Sequence, residues 1–375
     1  MSKVSIILPC RNEEKTIGLC IRKIKKVLKK HKINGEIIVS DSSKDNSPKI
    51  ARKLRAKVIK HDKKGYGIAC QEAFKVAAGE ILIIGDADNT YDFSDIPKFI
   101  NEIEKGNDFV IGSRIKGKIK KGAMPRLHQY FGNPLLSGIL NFLFGTNISD
   151  SHSGFRAIKR DALDKLNLKT TGMEFASEMV ILAAKNNLKI KEIPVTYSKR
   201  IGESKLSSFS DGWRHLRFML MYSPTYVFLF PGLFLFLAGF LAMIPLLFQT
   251  VQYRGYDLTI PFMVFSSLVA ILGYQVISIG LYAKIYAIHT GFEKHDKLID
   301  YIAENVPMER GILMGFFVIL LGISVVVFLF IRIFFERFRL SSINYLLFAM
   351  TILIIGFQTV FSVFFLSMML VETRE

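Results

Sequence analysis

The sequence predicts an α/β domain built on a mainly parallel sheet, followed by an α-helical membrane domain with four spans. Three observations predict it. The first 112 residues alternate short β-branched runs with helical patterns, the signature of βαβ units. Four later stretches, 226–248, 261–283, 311–331 and 343–371, carry no charge and match the roughly 20 apolar residues that cross a bilayer. Charge divides along the same line: residues 1–224 hold 41 Lys/Arg against 23 Asp/Glu, while residues 225–375 hold 9 of each.

The 375 residues, with a net charge of +18 and a mean hydropathy of +0.30, thus form a basic half and a neutral hydrophobic half. Composition excludes a disordered chain, collagen and a disulfide-rich secreted scaffold. Cys10, Cys20 and Cys70 show no CxxC spacing, so they suggest neither a disulfide framework nor a zinc site, and a reducing compartment suits them.

Strands are predicted at 4–8, 36–39, 57–59, 80–84 and 108–111. The first ends at Pro9, too short for a signal-peptide core and without a small-residue cleavage site. Ile17, Cys20, Ile21, Ile24, Val27 and Leu28 recur at helical spacing, with lysines on the other positions as a solvated face. Leu206, Phe209, Trp213, Leu216 and Leu220 then repeat at three and four residues among Arg214, His215 and Arg217. That pattern reads as an interfacial helix with its tryptophan at headgroup depth, or as a terminal helix packed on its own domain. Pro231 and Pro245 are expected to kink the first span. The expected domains are therefore 1–205 catalytic, 206–224 amphipathic and 225–375 membrane. Four spans put both ends on one side, and the missing export signal puts that side in the cytoplasm. Basic residues do not decide it: Lys294, Lys297 and Arg310 on one side balance Arg332, Arg337 and Arg339 on the other.

The chemistry concentrates where the apolar run Ile81 to Ile84 delivers Asp86 and Asp88 one residue apart. In open α/β sheets the ligand crevice lies beyond the carboxyl ends of strands. Two carboxylates so close repel unless a cation lies between or beside them, and hard oxygen ligands suit Mg²⁺ or Mn²⁺ on a diphosphate. Two surface acids on a capped loop would be the plain alternative.

Seven ordered blocks across residues 1–205 make the pattern specific. Ser5 to Glu14, Glu36 to Asp45, Gly65 to Ala69 and Asp86-Ala87-Asp88 resemble glycosyltransferase family 2 with the GT-A fold, the Rossmann-like fold of nucleotide-diphospho-sugar transferases. Gly112-Ser113-Arg114, Asp150 to Arg156 and Gly202-Glu203-Ser204-Lys205 resemble the polyprenyl-phosphate sugar synthases, such as dolichol-phosphate mannose synthase. The family's Asp-Asp-Gly-Ser block is Ser40-Asp41-Ser42-Ser43 here, and Asn89-Thr90 replaces the Leu-Gln of the mannose synthases. Asp88 to Asp92, with Gly122 to His128, is more similar to the glucose synthase-like subgroup, which favours glucose over mannose and N-acetylglucosamine.

The resemblance implies a role for each matched residue. Pro9, Arg11, Glu13 and Asp41 would line the nucleotide pocket. Lys64 and Gly65 begin a turn in which glycine would let backbone approach the nucleotide. Asp86 and Asp88 would hold the metal bridging the two phosphates. Arg114, Arg156 and Lys205 would hold the acceptor phosphate, arginine by a bidentate fork and lysine as a point charge. Glu174 and Glu178 lie four apart on a predicted helix and could position sugar or a cation, or form a surface pair. His128 and His152 could touch substrate or simply pack.

The expected activity is transfer of one hexose from UDP-glucose or GDP-mannose to a polyprenyl (dolichyl) phosphate, with inversion, on the cytoplasmic leaflet. A processive polysaccharide synthase fits less well, because its Gln-x-x-Arg-Trp block is missing: Trp213, the sole tryptophan, follows Asp211-Gly212. A transporter with a regulatory nucleotide-binding domain would be expected to carry ionisable groups within its spans. The sheet-edge acids and the membrane half do not suit a nucleic-acid binder. Oligomeric state is left open.

Overall fold

The computed structural model describes residues 3–202, 208–289, 297–336 and 341–371. Two compact units divide at Met219 and Leu220.

The first unit holds strands β1 (Val4–Cys10), β2 (Gly35–Asp41), β3 (Lys57–Lys60), β4 (Ile81–Ile84), β5 (Phe109–Ile119), β6 (Arg156–Lys159) and β7 (Ile190–Tyr197) in one sheet. Their order is β3-β2-β1-β4-β6-β5-β7, parallel except for β6, which runs antiparallel between β4 and β5. Helices α1 (Ile17–Lys30), α2 (Ser47–Lys53), α3 (Tyr66–Val76), α4 (Ile96–Glu104), α5 (Asn133–Phe144), α6 (Arg160–Asp164), α7 (Phe175–Lys185) and α8 (Ser208–Met221) complete the unit. β4 is apolar throughout, and β1 is apolar but for Ser5, whose hydroxyl donates to Glu36, because helices cover both sheet faces. Ile6 and Leu8 face the cluster that takes in Ile17, Ile21 and Ile24 of α1. The strand order reverses between β1 and β4, where such a sheet opens a crevice beyond its strand ends.

α5 and the turn before it leave Leu127, Tyr130, Phe131 and Phe142 exposed. On α8 the buried stripe is His215, Phe218 and Met219, while Trp213 stays 57% exposed. Of the stripe Leu206–Phe209–Trp213–Leu216–Leu220, Trp213 is thus turned out, while Leu216 and Leu220 are half-buried. Leu206 lies outside the described residues.

Among the described residues of the second unit, four helices are long and apolar enough to cross a membrane: Thr225–Phe248, Thr259–His289, Met308–Arg332 and Ile343–Leu370. They belong to α9 (Phe230–Phe248), α10 (Thr259–His289), α12 (Met308–Glu336) and α13 (Ser341–Val371), with the short α11 (Lys297–Asn305) between the second and third. Pro231 is the second residue of α9, but α9 continues a π-helical turn at Thr225–Leu229, so both Pro231 and Pro245 lie within the helical run Thr225–Phe248. A two-residue turn at Arg254-Gly255, both with positive φ, closes the small hairpin β8 (Gln252–Tyr253) and β9 (Tyr256–Asp257). Hydroxyl pairs join α10 to α13: Ser267 with Thr351 and Tyr274 with Thr359 at 2.6 Å, and Tyr282 with Ser362 at 2.8 Å. Within lipid such pairs satisfy groups that water cannot reach.

Candidate active site

The carboxyl ends of β1, β2 and β4 bring the first candidates together. Cys10 pairs with Asp41 in the parallel register, and Ile7 with Ile84, so Asp41 and Asp86 emerge on either side of the β1 end, which carries Arg11 and Glu13. Asp41 is fully buried; its Oδ1 accepts from Ser43 Oγ at 2.6 Å, while its Oδ2 has no hydrogen-bond partner among the described residues. A buried acceptor left open suits a ligand N–H. Pro9 lies in β1 at the register position of Ser40, and Arg11 is exposed.

Asp88 is buried and its Oδ1 accepts from the backbone N and Oγ1 of Thr90, at 3.1 and 2.6 Å. Its Oδ2 lies 3.4 Å from Nη1 of Arg200, whose Nη2 also donates to Glu13 Oε1. Asp86 receives no hydrogen bond from the described residues. Gly154 closes in on its carboxylate, where a β carbon would stand 2.6 Å from Oδ2. Burial, then the Asp88 charge, push the Asp86 carboxyl up to about 7. A carboxylate held in this way is completed by a cation, which reverses the penalty. Among the described residues no three His, Cys, Asp or Glu side chains converge as a metal cluster. The pair therefore fits a hard cation whose other ligands come from a diphosphate and water.

The expected phosphate-binding arginines sit differently. Arg114 forks onto Asp150, Nε to Oδ2 and Nη2 to Oδ1, both at 2.7 Å, and its guanidinium lies 5.2 Å from the centre of the Tyr197 ring. Burial opposes the Asp150 charge, but Arg114 outweighs it and holds the carboxyl below its usual range. Arg156 does not face a phosphate. It is 1% exposed and donates to three backbone carbonyls, Ser151, Ser153 and Ala176, each at 2.6 Å. Its donors are thereby engaged in tying the loop after Asp150 to α7. Lys205 lies outside the described residues.

The Lys64-Gly65 turn also departs from expectation. Gly65 has φ +143°, and a β carbon there would meet the Thr171 carbonyl at 2.1 Å; at Gly67 it would meet that of Thr170 at 2.3 Å. What approaches these glycines is the chain's own backbone. Lys64 is exposed. That backbone is anchored by Glu178, which is no surface residue: it is fully buried and accepts from Lys169 N, Thr170 N and Thr170 Oγ1. Glu174 Oε2 is buried without a hydrogen-bond partner among the described residues. His128 lies in a π turn, while His152 is packed beside Ser177 and His215.

Two positions escaped the sequence reading. Arg200 follows β7, a strand whose alternating charges and Pro194 hide it. Tyr91, from the Asn-Thr-Tyr-Asp block, accepts the Gly154 N–H at 2.8 Å and so supports the wall beside Asp86.

The family described as Glycosyl transferase family 2 matches residues 5–166, and the Glycosyltransferase family 2 C-terminal transmembrane region matches residues 281–370. The low-salt glycan biosynthesis hexosyltransferase of Haloferax volcanii is 41% identical over 322 residues, 86% of this chain and 78% of that protein. A dolichyl-phosphate hexose transferase of the same organism is 34% identical, covering 56% of this chain and 89% of its own length. The UDP-N-acetylglucosamine–dolichyl-phosphate N-acetylglucosaminyltransferase of Methanococcus voltae is 34% identical, covering 57% of this chain and 94% of its own.

Proposed function

The chain belongs to glycosyltransferase family 2, with its GT-A fold and membrane region, and from that premise we propose that it transfers one hexose from a nucleotide sugar to a polyprenyl phosphate. The observation that carries this reading is the Asp86–Asp88 pair beyond β4, across the β1 end from the open Oδ2 of Asp41, in a chain with four apolar helices among its described residues. The names of its relatives support a dolichyl-type acceptor and leave the sugar to be found, UDP-glucose and GDP-mannose being the first donors to try. The exposed Leu127, Tyr130 and Phe131 beside Arg126 suit a catalytic unit working at a lipid surface, which we assign to the cytoplasmic leaflet.

In this reading Asp41 Oδ2 accepts a base N–H, with Pro9, Arg11 and Glu13 around the nucleotide. Asp86 and Asp88 would hold Mg²⁺ or Mn²⁺, which would supply positive charge to the departing diphosphate. Arg200, anchored by Glu13, adds positive charge beside Asp88. Arg114, kept charged and fixed by Asp150, draws the second anion toward the first. A lipid monophosphate has a second pKa of about 6, so near neutral pH its oxygen attacks the anomeric carbon without a general base. Attack from the face opposite the leaving group inverts that carbon. The test is to incubate the purified chain in detergent with polyprenyl phosphate, Mn²⁺ and labelled UDP-glucose, GDP-mannose or UDP-N-acetylglucosamine in parallel. Label entering the organic phase from one donor is expected; donor cleaved to free sugar, with no labelled lipid, would contradict the acceptor.

A further inference from the structure

A chain of hydroxyl and imidazole groups, all buried except the half-buried His152, runs through the first unit from α5 to α8. Ser137 Oγ of α5 is 3.0 Å from Ser151 Oγ, which is 3.0 Å from His152 Nδ1. His152 Nε2 is 3.3 Å from Ser177 Oγ of α7, and that hydroxyl is 2.9 Å from Nδ1 of His215 on α8. The two imidazoles meet edge to face, their centres 4.3 Å apart. Ser177 has one hydroxyl hydrogen, so when it donates to one ring it accepts from the other, which couples the two tautomers. Burial lowers the pKa of both histidines, His215 to about 4, so the rings are neutral and act by hydrogen bonding.

The loop that this chain grips is the one beside the metal carboxylates. His152 is flanked by Asp150, which fixes Arg114, and by Gly154, which stands against Asp86. At the other end is α8, whose far side exposes Trp213, Arg214 and Arg217. We propose that His215 is a positioning residue: through Ser177 and His152 it registers the 150–154 loop against Asp86, so that the seating of α8 sets the cation site. The proposal deepens the glycosyltransferase reading and rests on it for the cation's purpose. Nothing in it requires His215 to touch substrate or to change charge.

The test measures Mn²⁺ binding by electron paramagnetic resonance on the full-length protein in detergent, with UDP or GDP present. His215→Phe keeps the ring's bulk and removes the bond to Ser177; His215→Asn places an amide near the Nδ1 position. Removing an outer partner of a metal site commonly weakens affinity by about 10- to 100-fold. His215→Phe should weaken Mn²⁺ binding at least about tenfold without lowering the melting temperature, and His215→Asn should restore most of it. If His215→Phe does not fold, Ser177→Ala decides in its place, with the same loss expected. Unchanged Mn²⁺ affinity in the folded variant overturns the proposal, as does His215→Asn binding as poorly as His215→Phe. Wild-type protein that binds Mn²⁺ but glycosylates no lipid phosphate, with the variants still weakened, would sink the acceptor assignment and leave the coupling standing. Wild-type protein that binds no Mn²⁺ would overturn both.

Discussion

Gly154 stands against the Asp86 carboxylate with no room for a side chain: a β carbon would lie 2.6 Å from Oδ2 and 2.8 Å from Oδ1. Its backbone N–H is held by Tyr91, so the loop cannot simply withdraw. Gly154→Ala should push Asp86 aside by an amount comparable to a bond length. A displacement near 1 Å at a reacting centre costs on the order of 100-fold in rate. Steady-state transfer should fall by about that factor with the melting temperature little changed; an alanine variant of wild-type rate would show that Asp86 has freedom to move.

The Arg114–Asp150 pair is a stability element as well as a source of charge. Both side chains are almost fully buried, and a buried ion pair stripped of one partner leaves an uncompensated charge that costs about 3–5 kcal/mol. Asp150→Ala should therefore lower the unfolding midpoint of the detergent-solubilised protein sharply, as followed by circular dichroism. Exchanging both residues for apolar ones of similar volume should recover much of that loss. A single variant as stable as wild type would mean the guanidinium finds another partner.

Arg200 lies 3.4 Å from Asp88 while it holds Glu13, so before substrates arrive it competes with a cation for that carboxylate. Arg200→Ala should bind Mn²⁺ alone more tightly than wild type. Transfer should nonetheless slow, by about 100-fold or more, because preorganised charge at the leaving diphosphate is lost. Isothermal titration with Mn²⁺ and initial rates read the two effects separately. Weaker Mn²⁺ binding in the variant would contradict the competition.

Acid stability follows from His152 and His215. Each ring has a folded-state pKa depressed below the ordinary 6.5, by burial first, then by the neighbouring imidazole for His152 and by Arg156 for His215. The unfolded chain thus takes up more protons than the folded one below pH 6.5. Their contribution is complete above that pH and is lost as pH falls toward about 4. Melting temperatures measured from pH 7 to 4 should decline, and His215→Asn should flatten the decline. An equal slope in wild type and variant would assign the acid sensitivity to other groups.

The parts of the fold legible in the sequence are those where burial alone dictates residue type. β1, β2 and β4 read as strands because their buried faces demand Ile, Val and Leu, and Asp86 and Asp88 stand out because they end such a run. β6 is four residues with a cation at each end, and β7 mixes Lys191 and Glu192 with Pro194, so neither shows a strand period. Arg156 shows the limit of a motif. Its block gives the residue, but only the fold shows that its fork closes on three carbonyls rather than on a phosphate. The Arg200–Glu13 pair joins residues 187 apart, a separation no local pattern marks.

The central claim is metal-dependent hexose transfer onto a lipid phosphate through Asp86 and Asp88. Its most direct measurement strips the purified protein with EDTA, restores Mn²⁺ in steps, and counts labelled hexose in the organic phase for wild type and Asp88→Asn. No label after EDTA, recovery with Mn²⁺ in wild type, and little recovery in the variant are expected. Full labelling in the presence of EDTA, or equal recovery in Asp88→Asn, would contradict it.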